Sequence, residues 1–361
     1  MKFPEDQDFV KRGYIEQVTS SLRKGLGKNI AFLGFRKTGK TLLLKRLVGM
    51  EKEVNPVYID LSRISLSPEN FSLEFISNIM FWFLGKSFSE YSQYFEFKFL
   101  MEKTSSLNNK RLVELLKIIE NELQKIKPDQ KLVVESAFNF LEELSKSKKV
   151  VLCLDNFENI LDLNNFSQIK DILSLINFDN KNISFIVASS AIFQLKKLLK
   201  NFEIVEIKNF DKKQTKALAN NFGIKKDINE IYKLTYGHPY LIRCLCERLK
   251  RVRDVKKAFS IELLHENIYR YYEDVYNYHL NRARGKTLLK SILKVLASLH
   301  EASLTEISKK IYRSAPVTKA LLERLIEVDL ISKKDKKFCF NDPILELWIN
   351  SVFNKLEDHE K

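Results

Sequence analysis

The clearest chemistry in this chain sits in one short run, Gly34-Phe35-Arg36-Lys37-Thr38-Gly39-Lys40-Thr41, which fits G-x-x-x-x-G-K-[ST]. The residue types are those that phosphate binding requires. Gly34 and Gly39 let the backbone turn its N–H groups inward as an anion nest. A helix opening at Thr41 and running through Leu42 directs its dipole at the same phosphates. Lys40 would reach the β- and γ-phosphates, and Thr41 would hold Mg²⁺. The partner acid is Asp155, which closes the apolar run Val150-Val151-Leu152-Cys153-Leu154 and would face the Mg²⁺ shell across from Thr41. Asn156 follows it. An amide positions water by hydrogen bonding but takes no proton. Glu158 is open to two readings, a base or a polar residue without that role. Ser189, at the end of Val187-Ala188-Ser189-Ser190, is a sensor of the γ-phosphate or attacking water, or a cap for a helix at 191–199. ATP with Mg²⁺ is the expected ligand, and binding is better supported than fast hydrolysis.

These residues need strands to bring them together. Apolar runs at 29–34, 56–61, 149–155, 183–190 and 203–207 read as strands, several of them continuous as in a parallel sheet buried on both faces. Helical spacing lies between them, which predicts a three-layer α/β P-loop NTPase core over residues 1–209. A first helix is expected over 9–27. A helical insert is expected over 68–148, with helices near 68–86, 88–104, 108–126 and 131–147. Its aromatic residues, among them Phe81, Trp82, Tyr91, Tyr94, Phe95 and Phe99, read as a core or as a protein-partner face.

The bulk properties narrow the setting. The 361 residues hold only 10 Gly and 7 Pro, which disfavours an all-β chain of tight turns. Lys and Arg exceed Asp and Glu by 61 to 46, so the excess of positive charge fits an anionic partner or solvated lysine faces. Four cysteines without C-x-x-C spacing read as free thiols of a reducing cytoplasm. No apolar stretch is long enough for a membrane span, and the first residues lack the apolar core of a signal peptide.

Beyond residue 286 the order is three helices and a hairpin. Ser303-Leu304-Thr305-Glu306 is a capping box, Pro316 opens the third helix, and LISKK and KFCFND flank Asp335 as a two-stranded wing. This is the order of a winged helix-turn-helix. Residues 250–337 carry 20 Lys/Arg against 11 Asp/Glu. Arg313, Lys319, Lys333, Lys334, Lys336 and Lys337 would contact the phosphates of duplex DNA, unless the module only packs and regulates.

Four stretches resemble the archaeal-type ATPases of the STAND and AAA+ classes, similar in layout to the origin-recognition initiator ATPases. Phe9-Val10-Lys11-Arg12 resembles the family's segment beside the adenine, and residues 35–41 resemble its phosphate loop. Tyr236-Gly237-His238-Pro239 resembles its G-x-P lid motif, and Phe340-Asn341-Asp342-Pro343 through Trp348 resembles its C-terminal close. The resemblance implies a switch ATPase, with a helical lid over 210–285, a winged-helix domain over 286–361 and a nucleotide-dependent oligomer. It brings Phe9, Arg12, Phe35, Arg36, Lys37, Thr38, His238 and Pro239 to the nucleotide, with Arg243 as a sensor. The sequence departs from the AAA+ pattern at Asn156, where a Glu is usual. No Arg lies between Arg111 and Arg243 to serve as an arginine finger. Three functions remain: a DNA-binding ATP switch, a protein-interaction or signalling ATPase, and a nucleotide binder with almost no turnover.

Overall fold

The computed structural model describes residues 10–14, 16, 18, 20, 28–50, 55–85 and 88–359. Five parallel strands form the central sheet: β1 (Ile30–Leu33), β2 (Asn55–Asp60), β3 (Val150–Asp155), β4 (Ile183–Ser189) and β5 (Glu203–Glu206). Their order is β2-β3-β4-β1-β5. Every residue of β1, β3 and β4 is buried, as continuous apolar strands covered on both faces should be. Asp60 pairs with Asp155 and Leu33 with Ser189, so the parallel register brings Gly34, Asp60, Asp155 and Ser189 to one edge. Ligands of open α/β sheets bind beyond that carboxyl edge.

β1 leads through the phosphate loop into α1 (Lys40–Met50). Between β2 and β3 stand α2 (Pro68–Leu84), α3 (Phe97–Ser105), α4 (Lys110–Leu123) and α5 (Gln130–Ser145). Ser67 caps α2, Pro68 opens it, and Gly85 ends it in the left-handed region. The helix expected over 88–104 is instead a 3₁₀ segment, Phe88–Phe95, followed by α3, because Glu96 takes an extended conformation between them. The aromatic residues of this insert point inward. Tyr94 and Phe81 are fully buried edge to face, Phe71, Phe75 and Phe138 pack together, and Phe95, at 41%, is the aromatic left exposed among the described residues of the insert.

The helix expected from residue 9 starts later. Val10 to Arg12 are irregular and Gly13 turns, with Tyr14 the first helical residue among those described, while residues 21–27 of the expected helix lie outside the described residues. After β4 come α6 (Ile192–Leu198) and, beyond β5, the helices α7 (Lys212–Asn221), α8 (Ile228–Thr235), α9 (Pro239–Leu249), α10 (Val255–His265) and α11 (Asn267–Ala283). The remaining elements are α12 (Lys286–Leu299), β6 (Glu301–Ser303), α13 (Leu304–Lys310), α14 (Ala315–Glu327), β7 (Ile331–Lys334), β8 (Lys337–Phe340) and α15 (Pro343–His359). The hairpin gains a third strand, because Glu301–Ser303 pairs with β8 and Ser303 then opens the capping box. One hydrophobic core runs from Phe210 through Ile349.

Candidate nucleotide site

Gly34 is fixed by a close approach. A Cβ there would stand 2.4 Å from the carbonyl oxygen of Ile207. Gly39 has φ +98, and Lys37 takes a positive φ of 57 without being glycine. The Lys40 ammonium donates to the carbonyls of Gly34 at 2.8 Å and Phe35 at 2.7 Å. Burial pushes its pKa down to about 8, although Glu158 and Asp155 favour its charge. Thr38 closes the turn, donating from both N and Oγ1 to the carbonyl of Phe35.

Asp155 accepts from Tyr58 at 3.1 Å and from the Thr41 hydroxyl. Burial raises its pKa against these hydrogen bonds. A hydroxyl held on a carboxylate is the kind of donor pair that could hold a divalent cation. Asn156 has φ +53 and its side-chain amide donates to Asp60 at 2.8 Å, so it is tied to the end of β2. Glu158 accepts from the hydroxyls of Ser189 at 2.5 Å and Ser190 at 2.6 Å. Burial would raise its pKa, but the two hydroxyls and Lys40 outweigh it and hold it below the usual value.

A cavity of about 500 Å³ opens between these groups. Arg36, Lys37, Gly39, Lys40, Thr41, Leu42, Asp155, Asn156 and Glu158 line it. Ser190 lines it, whereas Ser189, the more deeply buried of the two, does not. Its opposite wall is α11, through Tyr271, Asp274, Val275 and Tyr278. Sequence reasoning missed that wall, although the spacing i, i+3, i+4, i+7 marks one helix face.

A smaller recess of about 150 Å³ adjoins it, lined by Val10, Leu42, Leu43, Phe210, Leu218, Pro239 and Tyr240 with Arg12 and Arg243. Arg12 donates to the carbonyl of Thr38 at 2.8 Å and lies 4.3 Å over the Phe210 ring. Burial lowers its pKa to about 10. Arg243 pairs with Glu247 and lines this recess, not the larger cavity where a sensor of the γ-phosphate would stand. Phe9 lies outside the described residues. His238 does not face the cavities; it reaches the back of the phosphate loop, its Nε2 lying 3.0 Å from the carbonyl of Arg36. Gly237 (φ +70) lets this segment touch the core, since a Cβ there would lie 2.0 Å from the carbonyl of Phe210.

The residues of the C-terminal close act on α11. Asp342 accepts from Tyr272 at 2.9 Å, and Trp348 packs on Tyr269 and Tyr276. Of the residues expected at DNA, Arg313 shares an open groove with Thr305, Ser308, Lys309 and Tyr312, a residue 87% exposed. Lys337 is paired with Glu301, Lys319 reaches Glu323 at 3.9 Å, and Lys333 lies over Phe338. Lys334 and Lys336 are exposed at the hairpin tip.

A parallel sheet whose β1 feeds a glycine-bounded phosphate loop, with an acid closing β3, is the P-loop NTPase fold. The chain is similar to the Walker-type ATPase of Pyrococcus abyssi, with a TM-score of 0.67 and 18% identity over 95% of this chain and 96% of that one. That likeness bears out the expected fold. The ORC1 protein of Aeropyrum pernix in complex with DNA is matched at a TM-score of 0.46 and 13% identity, over 97% of this chain and 95% of that one. A STAND protein with a tetratricopeptide repeat sensor from Pyrococcus horikoshii is matched at 0.39 and 16%, over 97% of this chain and 44% of that one. No family model and no curated protein matches the chain. No helix among the described residues is long and apolar enough to cross a membrane.

Proposed function

We propose that the protein is an ATP-binding switch ATPase that hydrolyses ATP slowly and binds duplex DNA through a C-terminal winged helix-turn-helix. The observation that carries this reading is the convergence of Lys40, Thr41, Asp155 and Glu158 on one cavity. ATP phosphates would lie along the loop and α1, and the base would enter the apolar recess under Pro239. Thr41 and Asp155 would hold Mg²⁺, which when bound offsets the phosphate charge. Glu158, ionised and fixed by two serines, would orient the attacking water and accept its proton. Slow turnover follows from the same contacts. Asn156 is engaged with Asp60, and Glu158 gains a proton only by weakening two short hydrogen bonds. Helices α7–α11 would be the lid.

The DNA reading rests on α13 and α14 in helix-turn-helix order, with Lys309, Tyr312 and Arg313 open to solvent. Burial of most of the insert's aromatics in its own core favours the packing reading of those residues over a partner face. ATP hydrolysis measured with and without duplex DNA tests the whole reading. Slow turnover that DNA changes is the expected result, whereas no turnover in either case removes the ATPase.

A further inference from the structure

The phosphate loop carries one local strain, and two side chains from outside the loop meet it. Lys37 stands in the left-handed region, which a residue with a Cβ rarely adopts, and the preceding Arg36 is not in that region. The peptide joining them is where the turn between Phe35 and Thr38 reverses. Its carbonyl oxygen, on Arg36, accepts from the Tyr271 hydroxyl at 3.0 Å and lies 3.0 Å from Nε2 of His238. Tyr271 comes from α11, and His238 from the residue before α9.

The chemistry fixes the tautomer. A carbonyl cannot donate, so Nε2 carries the proton, and Nδ1 is buried with no partner among the described residues. Tyr271 and His238 also lie 3.3 Å apart, so the two donors and the carbonyl form one cluster. A trans peptide points its N–H opposite to its C=O. Drawing the Arg36 oxygen toward α9 and α11 therefore turns the Lys37 N–H the other way, into the nest that cradles anions. The same two elements hold the flanking side chains from the outside. The Lys37 ammonium lies 3.6 Å over Tyr240 and 5.1 Å from Tyr271, and Arg36 lies 4.4 Å over Tyr278.

We infer that Tyr271 and His238 are positioning residues for phosphate recognition: they hold the Arg36–Lys37 peptide in the orientation that presents its N–H to the phosphates. The inference rests on the nucleotide reading of the cavity. It makes phosphate affinity depend on α9 and α11 being docked, and Tyr272 on Asp342 extends that dependence to the C-terminal module.

The test measures Mg²⁺–ADP affinity by calorimetry for the full chain and for Tyr271→Phe, His238→Ala and His238→Gln, with each melting temperature as the check on folding. Tyr271→Phe and His238→Ala should each weaken ADP binding about tenfold, the scale of one lost hydrogen bond. His238→Gln, which keeps an N–H donor near the Nε2 position, should recover affinity to within about threefold of the parent. A packing role predicts that the glutamine variant binds as poorly as the alanine variant, and that result overturns the inference. Unchanged affinity in Tyr271→Phe overturns it as well. A parent protein that binds no ADP defeats the nucleotide reading instead.

Discussion

His238 makes the account testable through stability alone, without any ligand. The side chain is 2% exposed, and burial, followed by the positive charges of Lys40, Lys37 and Arg12, lowers its pKa to about 4 despite its hydrogen bond to Arg36. In the unfolded chain an imidazole titrates near 6.5. Between those values the unfolded state binds the extra proton, so stability falls as pH falls through the window from about 6.5 to about 4. At pH 5 the loss from this one residue is about 2 kcal/mol. His238→Gln removes the titration while keeping a donor. His279, whose pKa burial also lowers to about 4, and Asp329, raised by burial to about 6, remain in both proteins and cancel in the comparison. The assay is urea unfolding of parent and variant at half-unit steps from pH 7.5 to 4.5. The parent should lose about 2 kcal/mol more than the variant on reaching pH 5, whatever their difference at neutral pH. Parallel pH profiles would refute a neutral, buried His238 behind the phosphate loop.

Other consequences are equally open to measurement. Gly237→Ala should cost at least about 2 kcal/mol of unfolding free energy, because a side chain there meets both a positive φ and the Phe210 carbonyl; denaturant titration reads it. Glu158→Gln should slow steady-state ATP hydrolysis about a hundredfold while ADP affinity changes far less, and an unchanged rate removes Glu158 from the proton path. Arg313→Ala should weaken duplex binding and lower the salt slope by about 1, read by fluorescence anisotropy across a salt series. Identical binding curves would take Arg313 off the DNA surface.

Much of the fold could be read from residue order because its signals are local. Continuous apolar runs became β1, β3 and β4, and Ser67-Pro68 opened α2 where a cap and a ring-fixed φ demand it. The phosphate loop and Asp155 were legible for the same reason: each is a short motif at a strand end. What sequence missed depends on long-range approach. The wall of Tyr271, Asp274 and Tyr278 lies more than 200 residues from the loop it faces, and only the folded chain joins them. The third strand of the C-terminal sheet, three residues long, carries too little periodicity to stand out. The pairings of Arg243 with Glu247 and of Ser189 with Glu158 are contacts that residue order alone does not show.

The most direct test of the central claim is a titration of Mg²⁺–ATP and Mg²⁺–ADP into the parent protein and Lys40→Ala. Lys40 is buried within the loop and lines the cavity together with Asp155 and Glu158, whose charges favour its own. The account predicts saturable one-to-one binding by the parent and a loss of about a hundredfold in affinity on removal of the ammonium. Equal affinity in the two proteins would contradict it, because no phosphate could then be lying on this loop.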